Sequence, residues 1–227
     1  MLFVMKAEFS KNEKITIMKK FLLTGLCSLG SLVYGQDQVI TYIKEAQDFL
    51  VKEDYSNAQL SLQDAINEIN LLIADQIAKS LPDEINGLKS DGDASSNAAG
   101  VRMLGGGVSI EKSYTHPTMQ DNTAKIMIVA NSPMLTSLSM FLSNPAMMGN
   151  EYKSARVGSQ RAMLKSEMNE VFVADGEPYK QIRVTEIQIP LSKTLITFEL
   201  EGFAAEADEL AFAGKIDITK LKLALGE

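Results

Sequence analysis

The chain has 227 residues and a net charge of −7. Residues 1–35 hold five lysines and two glutamates, so a chain starting at Gln36 carries 17 basic and 27 acidic side chains, a net charge of −10. That acidity argues against nucleic acid or an anionic membrane as partner, since both require clustered Lys and Arg. With no Trp and one cysteine, the core must lean on Leu, Ile, Val, Ala and Met, and neither a disulfide framework nor a thiolate metal site can be built.

From Met18 the sequence reads Met18-Lys19-Lys20, an uncharged apolar run from Phe21 to Val33, then Tyr34-Gly35-Gln36. Two lysines ahead of such a run match the n-region and h-region of a signal peptide over 18–35. Val33 and Gly35 offer small residues at the −3 and −1 places, so cleavage is expected between Gly35 and Gln36. The run is too short, and too interrupted by Gly25, Ser28, Gly30 and Ser31, to span a bilayer as a mature helix. Residues 1–17, with Glu8 and Glu13, fit neither region and read as a mis-assigned upstream start or an extended n-region. Cys27 lies inside the run and follows Leu26, not the small residue a lipobox needs, so lipidation is not expected. The expected product is a periplasmic or secreted domain with no transmembrane segment after cleavage.

Residues 36–82 predict a helical hairpin. Val39, Ile43, Ala46 and Leu50 recur at helical spacing, and after Glu53-Asp54-Tyr55 the set resumes as Ala58, Leu62, Ala65, Ile69, Leu72, Ile73 and Ile77. Ser56 and Gln59 fit a capping box at the start of the second helix, and Pro82 ends it. The pattern is similar to one tetratricopeptide-type hairpin with Tyr55 wedged at the turn, but such repeats need stacked neighbours to bury a continuous core. Residues 83–107, rich in Gly, Ser, Ala and Asn from Leu88 onward, predict a flexible linker or surface loop. Gly105-Gly106-Gly107 has no Lys-Ser/Thr partner and no helix pattern after it, so it is not a phosphate loop.

From Val108 the period becomes two. Val108–Tyr114 and Ala124–Ala130 predict a strand hairpin, and Asn131-Ser132-Pro133 predicts the start of an apolar helix running to Asn144-Pro145. Strands are expected over Arg156–Met168, Lys180–Ile189 and Leu195–Gly202. Helices are expected over Ala204–Ala213, closed by Gly214, and over Asp217–Leu225. The order β-β-α-β-β-β-α over 108–227 predicts an α+β fold, an antiparallel sheet covered by helices.

Several short stretches (Leu81-Pro82, Gly87-Leu88, Met103-Leu104-Gly105-Gly106-Gly107, Asn131-Ser132-Pro133-Met134-Leu135, Ser143-Asn144-Pro145-Ala146-Met147-Met148 and Arg156-Val157-Gly158-Ser159-Gln160-Arg161-Ala162) resemble an uncharacterised family of exported bacterial proteins over about residues 60–225. Leu88 departs from it, where relatives are expected to carry Trp. The element order also looks like the PsbP/DcrB-type α/β/α sandwich. That likeness implies a non-enzymatic accessory protein outside the cytoplasm, and it concerns fold alone.

No catalytic residue is nominated and no cofactor is expected. His116 is the only histidine and precedes Pro117, which reads as an exposed turn. Glu167, Glu170, Asp175 and Glu177 read as a solvated turn, and Glu206, Asp208 and Glu209 as dipole partners of a helix start. Met134, Met140, Met147 and Met148 are the weak metal candidates, because clustered thioethers suit Cu(I); packing of an aromatic-poor core explains them first. The sequence therefore points to an exported accessory protein with a protein partner in the cell envelope. A small-ligand or Cu(I) carrier using the Met-rich helix is the alternative, and a hydrolase the third reading.

Overall fold

The computed structural model describes residues 35–97, 107–131, 135, 151–171 and 179–227. The expected leader up to Tyr34, the Gly105-Gly106 pair, the Pro133–Asn144 helix apart from Leu135, and Asp175 and Glu177 lie outside the described residues. The chain divides into two compact units, Met1–Ile69 and Asn70–Glu227.

In the first unit, a helix over residues 35–51 (α1) is followed after three residues by α2, Tyr55–Ser80, whose first part belongs to this unit. The turn is closed by backbone bonds from Glu53 to Leu50 and from Asp54 to Phe49, with Glu53 at φ 59°. The expected capping box at Ser56 and Gln59 sits two residues too late. Asp54 caps α2 by accepting from the Asn57 amide nitrogen at 3.2 Å, and the Asn57 side chain returns a bond to the other carboxylate oxygen at 2.6 Å. A carboxylate at this place satisfies a free N–H and faces the positive end of the helix. Small residues line the contact between the helices, with Ala46, Ala58, Ser61 and Ala65 buried and Val39, Tyr42 and Phe49 half-buried beside them. Ile43 and Leu50, expected in that contact, are exposed, and so is Tyr55, expected as the wedge at the turn.

The second unit is an antiparallel sheet under helices, as the α+β reading expected. Its strands are β1 (Glu84–Ile85), β2 (Leu88–Ser90), β3 (Ser95–Asn97), β4 (Val108–Thr115), β5 (Thr123–Ala130), β6 (Lys153–Val157), β7 (Gln160–Val171), β8 (Lys180–Pro190) and β9 (Thr194–Glu201). They lie in the order β1-β2-β4-β5-β9-β8-β7-β6, with β3 also on β4. Helices α3 (Glu206–Ala213) and α4 (Ile218–Leu225) follow. The β6-β7-β8-β9 meander returns β9 to the side of β5, where Ile126 pairs with Phe198 and Ile128 with Ile196.

Two expectations about this unit are corrected. Residues 88–97 are not linker, because β2 and β3 pair with β4. They are held by a two-residue hairpin turn in which Asn86 (φ 51°) and Gly87 (φ 88°) both take positive φ, the requirement of a type I′ turn. The strand expected over Arg156–Met168 is two strands, β6 and β7, reversed at Gly158-Ser159 with Gly158 at φ 59°. The described strand order is accordingly richer than β-β-α-β-β-β-α.

One sheet face carries the core. Ile110, Tyr114, Ile126, Ile128, Ile187, Ile189, Ile196 and Phe198 meet Ala74, Ile77 and Leu81 from the end of α2, Phe212 from α3, and Ile218 and Leu221 from α4. Tyr114, Phe203 and Phe212 pack edge to face, each adjacent pair of rings 5.8 Å apart. Burial, and then the Asp83 charge, raise the Tyr114 phenol far above its ordinary value. Its hydroxyl donates to Pro82 O at 2.8 Å, while buried Lys112 donates to Leu81 O at 3.1 Å and to Asp83 at 2.8 Å. A cation is thereby set against the last carbonyls of α2, where the helix dipole favours it.

Candidate functional site

The hairpin presents the first candidate. Each helical residue advances about 100°. On α2 the side chains of Tyr55, Leu62, Ile66 and Ile69 therefore fall in one stripe, rotated roughly 80° from the Ala58–Ser61–Ala65 edge that meets α1. On α1, Ile43 and Leu50 are offset by about the same angle and in the same sense from the Tyr42–Ala46–Phe49 edge. In antiparallel helices equal offsets point to the same side, so the two stripes form one apolar face. All six side chains are exposed, from 39% at Ile43 to 67% at Tyr55.

The second candidate is a cleft of about 770 Å³ at one end of the sheet, bordered by the loop before β5, the end of β7, the start of β8 and the turn after β9. Met119, Met168, Ile182 and Phe203 give it an apolar wall, and Lys180 bonded to Asp121 at 2.7 Å gives a polar rim. Gly202 lets the turn after β9 approach the loop. Its φ is 70°, and a Cβ there would stand 2.2 Å from the Asp121 carbonyl oxygen. His116, expected as an exposed turn residue, is half-buried and organises the loop. Its Nδ1 accepts from the backbone nitrogens of Thr118 at 3.3 Å and Met119 at 3.2 Å.

Beside the cleft, Arg183 leads to a group that sequence reasoning missed. Glu209, expected as a surface partner of the helix dipole, is fully buried. Its Oε1 accepts from Arg183 Nε at 2.8 Å and from Thr185 Oγ1 at 2.7 Å, and Thr185 in turn meets Ser166 at 2.8 Å. Oε2 is buried and accepts no hydrogen bond from the described residues. The signal was the helical position. Glu209 precedes buried Phe212 by three residues and so shares its inward face, while Glu206, one turn earlier, is partly exposed, paired with Lys153 and 3.8 Å from Arg183.

Of the other nominated residues, Gly35 and Gln36 are helical and belong to α1. Met134, Met140, Met147 and Met148 lie outside the described residues. Met163 is fully buried, and Met168 is exposed at the cleft. Glu167 and Glu170 are exposed on β7. Among the described residues, no three His, Cys, Asp or Glu side chains converge as a metal site, and no helix is long and apolar enough to cross a membrane. Set against known proteins, the chain matches no family model, no curated protein and no solved structure.

Proposed function

We propose that this chain is an exported, non-enzymatic accessory protein that works by contact with another polypeptide, with the helical hairpin as its contact element. The observation that carries the reading is the apolar face of Ile43, Leu50, Tyr55, Leu62, Ile66 and Ile69, left exposed while alanines and a serine fill the contact between the helices. Contiguous exposed apolar surface on an otherwise acidic chain marks an interaction site. The Lys19-Lys20 leader with small residues at Val33 and Gly35 supports export.

The test is a photo-crosslinking amino acid placed at Ile66 or at Leu60 in the producing cells, with fractionation and N-terminal sequencing of the product. A discrete adduct at Ile66 and none at Leu60, on an envelope or secreted protein beginning at Gln36, is the expected result. A cytosolic chain retaining residues before Gln36, or no adduct at Ile66, overturns the reading.

The cleft favours a second reading, carriage of a small apolar ligand against Met119, Met168, Ile182 and Phe203. Ligand copurifying with the native protein and lost in Phe203→Asp would establish it.

A further inference from the structure

We infer that the occupant of the hairpin's apolar face is the same face of a second copy of this chain. The inference rests on the reading of the hairpin as the contact element and names its partner.

The distribution of charge decides between occupants. On the helical wheel Glu45 and Asp48 of α1, and Asp64 and Glu68 of α2, stand roughly 130–170° from the apolar stripes, on the opposite side of the hairpin. The residues that border the face are Ile40 and Gln47 of α1 and Gln59 and Gln63 of α2, all exposed and uncharged. A basic partner helix would be drawn to the acidic side, away from this face. An anionic lipid surface needs several Lys or Arg around the apolar patch, and α1 offers only Lys44 at its outer flank, with Lys52 about 170° away. An extended peptide would find no free ladder of backbone groups, because α1 and α2 satisfy their own.

A second copy meets none of these objections. Side-chain amides donate and accept, so glutamines can bond to their own counterparts across a two-fold axis. The acidic groups of both copies point outward, where solvent and salt screen them. Two hairpins joined in this way make a four-helix bundle with an isologous interface. Two helices about 10 Å wide and some 20 Å of length give a face smaller than the roughly 800 Å² per partner of a standard interface, so the dimer is expected to dissociate at about micromolar concentrations.

The test is sedimentation velocity on the purified chain beginning at Gln36, which carries no cysteine, from about 1 to 100 µM, a range that brackets such an affinity. The expected result is a concentration-dependent dimer that Ile66→Glu converts to monomer with an unchanged far-UV spectrum, while Leu60→Glu, about 160° from Leu62 on α2, leaves it intact. Leu62→Cys should give a disulfide-linked dimer on mild oxidation and Leu60→Cys should not. A monomer at every concentration, a dimer that survives Ile66→Glu, or vesicle binding in place of pairing overturns the inference. If the purified chain is monomeric and the Ile66 crosslinker still captures a different protein, self-pairing fails and the contact reading stands. If no adduct forms at Ile66, both fail.

Discussion

In the sheet unit, Tyr114, Phe198, Phe212, Ile126 and Ile187 are wholly enclosed. In the hairpin the enclosed side chains are Ala46, Ala58, Ala65 and Ser61, and Leu62, Ile66 and Ile69 remain exposed. Both regions contain large apolar residues at regular spacing. The difference lies in how many elements surround them. A sheet face capped by three helical segments closes over a Phe from every direction, whereas two helices can cover only the strip along which they touch. Small residues at that strip bring the helices close, and the large ones are left for an external surface. The comparison teaches that periodicity identifies apolar faces, while the number of neighbouring elements decides which of them become core.

The largest effect that would sharpen this contrast is at Phe212. Its truncation to Ala leaves a cavity among Tyr114 and Phe203 and should cost about 3–5 kcal/mol in urea unfolding followed by tyrosine fluorescence. Ile66→Ala in the hairpin should change stability by no more than about 0.5 kcal/mol under conditions where the chain is monomeric. Comparable losses at the two positions would break the contrast, because they would mean that Ile66 is packed within the monomer.

Next in size is Glu209→Ala. It deprives Arg183 and Thr185 of their shared acceptor and should cost about 2–3 kcal/mol, toward the low end for a buried pair because Arg183 retains access to water. Glu206→Ala, at a partly exposed carboxylate that meets Lys153 and the same Arg183, should cost less than about 1 kcal/mol. Equal effects in thermal unfolding would refute the assignment of Glu209 to the inner face.

A smaller effect confined to the hairpin is expected for Asp54→Ala. Loss of the cap should cost about 1 kcal/mol. Hydrogen exchange should read it as faster exchange in the first turn of α2 with the sheet amides unchanged. Faster exchange in β5 and β9 as well would show that the two units unfold together.

The smallest effect concerns the sheet face opposite the core, where Glu151 meets Lys165 at 2.8 Å. The hydrogen bond and charge of Lys165 hold the Glu151 carboxyl below its ordinary value, and Glu151 raises the Lys165 ammonium. The Glu151 contribution is therefore present above the ordinary carboxylate range and is lost as pH falls through the lowered value. The Lys165 contribution is present below the ordinary lysine range and is lost as pH rises through the raised value. An NMR titration should place the Glu151 midpoint below that of a free glutamate, and Lys165→Gln should return it. A midpoint unmoved by that substitution would assign the shift to another cause.

Local patterns made several elements legible. The switch from helical to alternating periodicity at Val108 located the β4–β5 hairpin, and Pro82 marked the end of α2. Other features carried signals too short to read. Asn86-Gly87 is a hairpin turn signal, but its flanking strands offer only Ile85 and Leu88 as apolar members. Gly158-Ser159 reverses a stretch that reads as one strand, because a two-residue turn hardly interrupts the alternation. Asp54 and Ser56 are both capping residue types, and the chain reversal at Glu53 selected the earlier one.

By itself the sequence determined the class of fold, the hairpin, the positions of β4, β5, β8 and β9, and the acidic balance, because these follow from residue type and from periods of two and 3.6 along a single stretch of chain. Only the tertiary structure decided that β9 pairs with β5, that Glu209 turns inward to Arg183 and Thr185, and that the Leu62–Ile66–Ile69 stripe stays uncovered. Those outcomes depend on residues far apart in sequence meeting, or failing to meet, in space. Burial is a property of the neighbours a side chain acquires, which no local pattern encodes.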